Sequence, residues 1–343
     1  MKKIIFAAMA LAAFVACSKE TTVDVAREEI AFGNAFVDNS TKATEATDPS
    51  YSTSGKGVAL EKFNVYGAVN GVNIFNGNTV TKTAGYGEAW TLDGTKQYWI
   101  AGAPYKFVGV VDGSKTVGET VITKTNLDAA GLPTTIEYTV DGATDLLCDV
   151  VNIASATAPY RVVAFNYTHL LSKINFAVKN TTDALATNYR FVLTSAKLTN
   201  VYADGVYNVV SDVENEIEAG TWTPGSTMRE FVLENLTINS NSTQYHSQEV
   251  LLIPGSAIGV YVKADIQATD DDPTSADALW TTVSTVEKTF TNVLGKVGDT
   301  PNTLAKATAY NFIVELSVGN EIQFTATTMP EWTDGDGTGT VLQ

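Results

Sequence analysis

From residue 310 to residue 318 every second side chain is apolar: Tyr310, Phe312, Val314, Leu316 and Val318. A strand turns successive side chains to opposite faces, so this spacing reads as a strand with one buried face. It excludes a helix, whose apolar stripe recurs every three or four residues. The same period returns along the chain. Phe63 and Val65 share it, as do Ile136, Tyr138 and Val140, then Ile174, Phe176 and Val178, and finally Ile322, Phe324 and Ala326. Turn signals separate these runs: Asn70-Gly71, Asp112-Gly113, Asp141-Gly142 and Gly319-Asn320. Asn-Gly is the dipeptide that a two-residue hairpin requires. About one residue in seven is Thr, and 14 Tyr and 14 Phe accompany it, so β-branched and aromatic residues dominate, as strands favour. No helical period is evident before residue 160. Short antiparallel strands at this spacing predict an all-β chain built of β-sandwiches.

The 343 residues are enough for one large or two ordinary domains, and the composition places the break near Ala154 to Tyr160. A net charge of −16 excludes the basic field that a nucleic-acid partner needs, so none is expected. Hydrophobic residues at 44% and charged ones at 17% describe a folded chain rather than a disordered one.

The first 16 residues stand apart. Lys2 and Lys3 precede an apolar run from Ile4 to Val15 that is too short to span a bilayer, so residues 1–16 read as a secretory signal. Phe14-Val15-Ala16-Cys17 resembles a bacterial lipobox, which makes Cys17 the expected lipidation site, as a palmitate-bearing N-terminus, and residues 17–29 a tether. The alternative is an ordinary secreted chain with an incidental Cys. With Cys17 lipidated, Cys148 is the one thiol left and no internal disulfide can form. Cys148, within Leu146 to Val150, reads as a small buried hydrophobe.

Several segments then resemble one family. Phe165-Asn166-Tyr167-Thr168-His169-Leu170-Leu171-Ser172-Lys173 is similar to the Phe-x-His-x-Leu-Ser-Lys signature of the fimbrillins, lipoprotein-derived subunits of the type V pili of Gram-negative bacteria. Asp145-Leu146-Leu147 resembles their Asp-Leu-Leu, and Tyr98-Trp99 with Tyr105 to Val111 resembles their Tyr-Trp-Pro and following strand, with Ile100 in place of Pro. Ile322-Gln323-Phe324 with Trp332 resembles their last strand. The resemblance implies two transthyretin-like antiparallel β-sandwich domains in tandem, here residues 30–157 and 158–343.

It also implies a mechanism. An arginine-specific maturation protease removes the lipidated segment with a first strand, and a segment of the next subunit fills the groove. Two cuts are open here. Lys42–Ala43, in Asn39-Ser40-Thr41-Lys42-Ala43, lies after the strand candidate Ile30, Phe32 and Phe36 and would vacate a groove; Arg27–Glu28 would leave that strand in place. The favoured cut is Lys42–Ala43. Donor plugs are expected at Ile322, Phe324 and Ala326, and at Val341 and Leu342 beyond a Gly-rich linker. Such a chain is a structural pilus subunit with an adhesive role. Its partners are copies of itself, other pilus subunits and the protease, and it reaches the outer membrane through lipid before joining the cell-surface pilus.

Catalysis is not expected, and no cofactor or metal is. Two His, His169 and His246, cannot build a His-rich zinc site, and no nucleophile elbow, P-loop or dinucleotide fingerprint occurs. His169 is expected to be structural, with one ring nitrogen hydrogen-bonded. The competing reading is a monomeric surface lipoprotein that binds glycans through exposed Trp90, Trp99 or Trp222.

Overall fold

The computed structural model describes residues 28–33, 36–37, 62–82, 90–112, 122–160, 162–182, 187–210, 220–246, 249–297, 300–329 and 340–341. Among them there are strands and no helix, as the period-two pattern predicts.

A seven-stranded sheet contains β1 (Phe36–Val37), β2 (Lys62–Val69), β3 (Val72–Lys82), β4 (Trp90–Leu92), β5 (Tyr105–Val111), β8 (Leu147–Ile153) and β9 (Asn166–His169). Their order across it is β1-β9-β8-β5-β2-β3-β4. A four-stranded sheet joins β6 (Ile122–Leu127), β7 (Pro133–Thr139), β12 (Asp204–Asn208) and β13 (Thr221–Pro224). A six-stranded sheet holds β10 (Ser172–Asn180), β16 (Thr243–Tyr245), β17 (Val250–Leu252), β22 (Thr308–Leu316), β23 (Gln323–Thr328) and β24 (Thr340–Val341). A five-stranded sheet holds β11 (Tyr189–Tyr202), β14 (Met228–Val232), β15 (Thr237–Asn239), β18 (Gly259–Ala268) and β19 (Thr281–Phe290). A ribbon of β20 (Lys296–Val297) and β21 (Thr300–Pro301) completes the set.

The expected hairpin at Asn70-Gly71 joins β2 to β3, with φ of 51° and 73°. Two positive φ values in succession define the turn whose twist matches that of the strands, and Gly and Asn reach them at least cost.

Alternation along β2, β5 and β8 divides the seven-stranded sheet's side chains between two cores. Ala68, Val108, Val110, Cys148 and Val150 face one core together with Ile136, Tyr138 and Tyr207 of the four-stranded sheet. That core continues into Ile174, Phe176 and Phe312 of the six-stranded sheet and Leu193, Leu198, Val260 and Val262 of the five-stranded one. Phe63, Val65, Phe107 and Leu147 face the second core, which contains Ile30 and Phe32.

Strand pairing runs across residue 157/158, the break expected between domains. β9 lies beyond it, yet pairs with β8 through Leu147↔His169 and Cys148↔Thr168. β12 comes from the second half and pairs with β7 from the first over five residues, Asp204↔Thr139 to Asn208↔Thr135.

Candidate functional site: a seated terminal segment

The expected first strand, Ile30 to Phe36, is not one regular strand. Its partners change along its length. Ile30 donates its N–H to Gln97 (2.8 Å), and Trp99 donates to Glu28 (3.0 Å). Further on, Val163 donates to Ala31 (2.8 Å) and Gly33 to Val163 (3.1 Å), and β1 then runs parallel to β9 through Phe36↔Asn166 and Val37↔Tyr167. Two isolated bridges and a two-residue strand replace a continuous ladder.

Side chains supply what the backbone lacks. Ile30 and Phe32 are 1% and 5% exposed, whereas Ala31 between them faces solvent. The Phe32 ring sits 5.4 Å from Phe75 and 5.9 Å from Phe107, both edge-on, and 6.3 Å from Phe63 and Phe165. Edge-to-face pairs at these distances are favourable beyond the area they bury.

Glycines make room for the rings. A Cβ at Gly67 would lie 2.8 Å from Phe75 and 2.9 Å from Phe107, and one at Gly109 would collide with the Tyr167 hydroxyl and lie 3.0 Å from Phe165. The sequence reading had missed this socket. Its available signal was an isolated Gly inside an apolar strand pattern, which marks close approach.

The signature residues gather at the joint between the halves. His169 ends β9, and its Nδ1 lies 2.6 Å from Asp145 Oδ2, both side chains 2% exposed. The Asp145 carboxylate also accepts the N–H of Leu146 (2.8 Å), and Leu170 donates to the Leu146 carbonyl (2.9 Å). Ser172 Oγ donates to Ala305 O (2.7 Å). Lys173, 1% exposed, pairs with Glu249 at 2.8 Å. Burying a polar or charged group is costly without a partner, and each of these has one. The structural role expected of His169 is what its geometry gives it; Glu249, remote in sequence, had escaped notice.

The expected donor residues divide. Ile322 (7% exposed) and Ala326 (4%) belong to the subunit's own core, and Phe324 packs 5.4 Å from both Phe290 and Phe312. β23, which carries Phe324 and Ala326, pairs antiparallel with β22 over six residues, Tyr310↔Thr328 to Glu315↔Gln323. Val341 lies in β24, opposite Thr327 on the other edge of β23. Leu342, Cys17, Arg27, Lys42 and Ala43 lie outside the described residues, and Glu28 is exposed.

The tryptophans named in the glycan-binding alternative are packed against the protein, Trp99 buried and Trp90 and Trp222 half-buried. Trp222 donates its indole N–H to Leu170 O (2.6 Å) and packs on Tyr138 and Tyr207. Trp90 packs on Phe63, and Trp99, 8% exposed, stacks on Tyr160 at 5.5 Å. The cleft of about 230 Å³ beside Trp99 therefore offers no free indole face. Cys148 is fully buried, and burial pushes its thiol well above the usual value, away from the reactive thiolate. Among the described residues no cluster of His, Cys, Asp or Glu could hold a metal.

Among solved structures the chain is similar to a fimbrial protein from Bacteroides vulgatus. Identity is 15% and the TM-score 0.61, over 90% of this chain and 100% of that one. It is also similar to a protein from Bacteroides uniformis described as a candidate cell adhesion protein, at 16% identity and a TM-score of 0.51, over 90% and 99% of the two chains. At these identities the likeness concerns the fold. No curated protein matches. The sequence itself matches the fimbrillin-like family over residues 36–332, nearly all of the folded part, and the chain belongs to that family.

Proposed function

We propose that the protein is a non-catalytic subunit of a cell-surface pilus with a role in adhesion, polymerised head-to-tail by exchange of one terminal segment for another. Family membership supports the pilus role. The observation that carries the mechanism is the segment 28–37, whose buried side chains fill an aromatic socket while its backbone makes few ladder bonds. A segment held in this way can leave without dismantling a sheet. Its departure would open the edge of β9 and the socket around Phe32, and an incoming strand would restore both by β-augmentation.

In this reading the chain is exported as a lipoprotein on Cys17, held at the outer membrane, and cut at Lys42–Ala43. A cut at Arg27–Glu28 would leave Ile30 and Phe32 seated. The donor is the stretch after β23, residues 330–343 with Val341 and Leu342, because β23 is a core strand of its own sandwich. The rest of the two halves, 30–157 and 158–343, forms the body of each subunit, joined by the strands that cross between them. Head-to-tail contact does not close, so it propagates as a filament.

Deleting residues 331–343 tests the assignment. The truncated chain is expected to fold, reach the surface and be cut, yet fail to extend filaments under the electron microscope. Normal filaments from that variant would show that the donor lies elsewhere. A mature N-terminus at Glu28 on assembled subunits would remove the Lys42–Ala43 cut.

A further inference from the structure

We infer that the cavity between the β2–β3 hairpin and the β6–β7 turn is a binding site for a neutral sugar of one or two rings. The adhesive role proposed above gives the site its use. Binding is measured on the isolated chain, so either reading can fail without the other.

The cavity lies where the core stops. Val108 and Val150 pair across β5 and β8 and face the first core; two residues on, at the strand ends, Lys106 pairs with Asn152 on the same face. Ala68 of β2 lies opposite Lys106 on its other side. Between this row and the turn at residues 128–132 is a cavity of about 420 Å³, against about 230 Å³ for the cleft beside Trp99. Small-molecule sites occupy roughly 300–1,000 Å³. Buried Ala68 and Leu132 give the lining an apolar part, and exposed Asn70 and Asp128, with half-buried Lys106 and Asn152, give it a polar one. Both walls are fixed in advance. Asn70 donates its N–H to Pro104 O (3.2 Å), and Asp128 donates to Leu132 O (2.9 Å). Asp128 Oδ1 accepts the N–H groups of Ala130 (2.8 Å) and Leu132 (2.9 Å), and Asn73 Nδ2 reaches Gly131 O at 3.4 Å, from hairpin to turn. Groups already ordered cost less to engage on binding.

The polar lining selects the ligand. Lys106 and Asp128 bring opposite charges to one opening, so an anion meets a carboxylate and a cation meets an ammonium. The net charge of −16 weighs further against an anion. A purely apolar ligand would cover these groups and replace none of their water. A sugar meets both demands. Each hydroxyl donates and accepts, so carboxylate and side-chain amide both find partners, while the C–H face of the ring covers the apolar part of the lining. An extended peptide finds no strand to join here, because β5 is paired with β2 and β8, and β2 with β3 and β5.

The test applies the purified full chain to an array of neutral and sialylated oligosaccharides, with unglycosylated peptides printed alongside. Binding is expected to neutral glycans, and the strongest of them is then titrated against variants by NMR. Asn70→Gly keeps the hairpin, since Gly reaches the same positive φ, and removes only the amide. It should weaken binding roughly tenfold. Asp128→Asn keeps an oxygen for the two turn N–H groups and should weaken binding by a similar factor, roughly tenfold. Ala154→Trp sets an indole into the cavity from an exposed position on its wall and should abolish binding. Thermal unfolding checks that each variant is folded. The wild-type array decides the ligand class without any variant: binding to no neutral glycan, or to sialylated glycans or peptides alone, overturns the proposal. Neutral-glycan binding that survives both Asn70→Gly and Ala154→Trp unchanged overturns the site.

Discussion

The two ends of the described chain are anchored in opposite ways. Residues 28–33 make four backbone bonds to three residues in two separate stretches, Gln97 and Trp99 in one and Val163 in the other, and their hold comes from Ile30 and Phe32 buried among aromatic rings. β23 makes a regular six-residue ladder with β22, while its largest side chain, Phe324, is only half-buried. A ladder fixes a strand cooperatively along its length, whereas plugs in a socket fix it side chain by side chain. The difference separates a segment held by side-chain plugs from a strand held by its ladder.

Four measurements can break or sharpen this contrast. The largest effect is expected from Phe32→Ala, which removes the central plug and should cost about 4 kcal/mol in denaturant unfolding. A cost below about 1 kcal/mol would mean that the socket contributes little to holding the segment. Asp145→Ala comes next, at about 3 kcal/mol, because it removes the buried carboxylate that His169 pairs with between the halves. Should the two halves then unfold in separate transitions, the pair is a clasp between them; a single transition shifted downward makes it part of one cooperative core. Phe324→Ala should cost about 2 kcal/mol, since part of that ring is already in water. A cost above that of Phe32→Ala would reverse the contrast.

The smallest effect concerns pH. Burial lowers the pKa of His246, with Glu234 opposing, and its Nδ1 accepts the Glu234 N–H at 3.3 Å, as a neutral ring does. The unfolded chain then binds the proton more readily than the folded one. The contribution is full above the ordinary His value of about 6.5 and is lost as pH falls below it. Segment 28–37 carries no His, so His246→Gln should flatten this part of the stability profile and leave the cost of Phe32→Ala unchanged.

Much of this was legible beforehand, and the reasons are local. Tyr310 to Leu316 alternate because β22 has one face in the core, and Asn70-Gly71 names its own turn. The expected hydrogen bond at one ring nitrogen of His169 is there, with Asp145 Oδ2 2.6 Å from Nδ1, although the sequence did not name that partner. What the chain order could not disclose was pairing at a distance. Nothing near Ile136 says that Tyr207 lies opposite it, and nothing near Lys173 names Glu249. Ile30 to Phe36 showed strand-like apolar spacing, but not that its neighbours would change from Gln97 to Val163. Phe324 looked like an available plug because a period of two marks a buried face without saying whose core buries it.

The interleaved four-stranded sheet also sets an order of events. β6 and β7 are made early, but β12, which pairs with β7, and β13, which pairs with β12, arrive only after the joint and the long strand β11. Until then β6 and β7 are a two-stranded ribbon, marginal in water, with the side of β7 that will receive β12 unpaired. Tyr138 and Ile136 likewise wait for Tyr207 to finish the wall around them. Non-local pairing of this kind slows folding and prolongs exposure of sticky edges. The first half of the chain therefore cannot complete its fold until the second half is present.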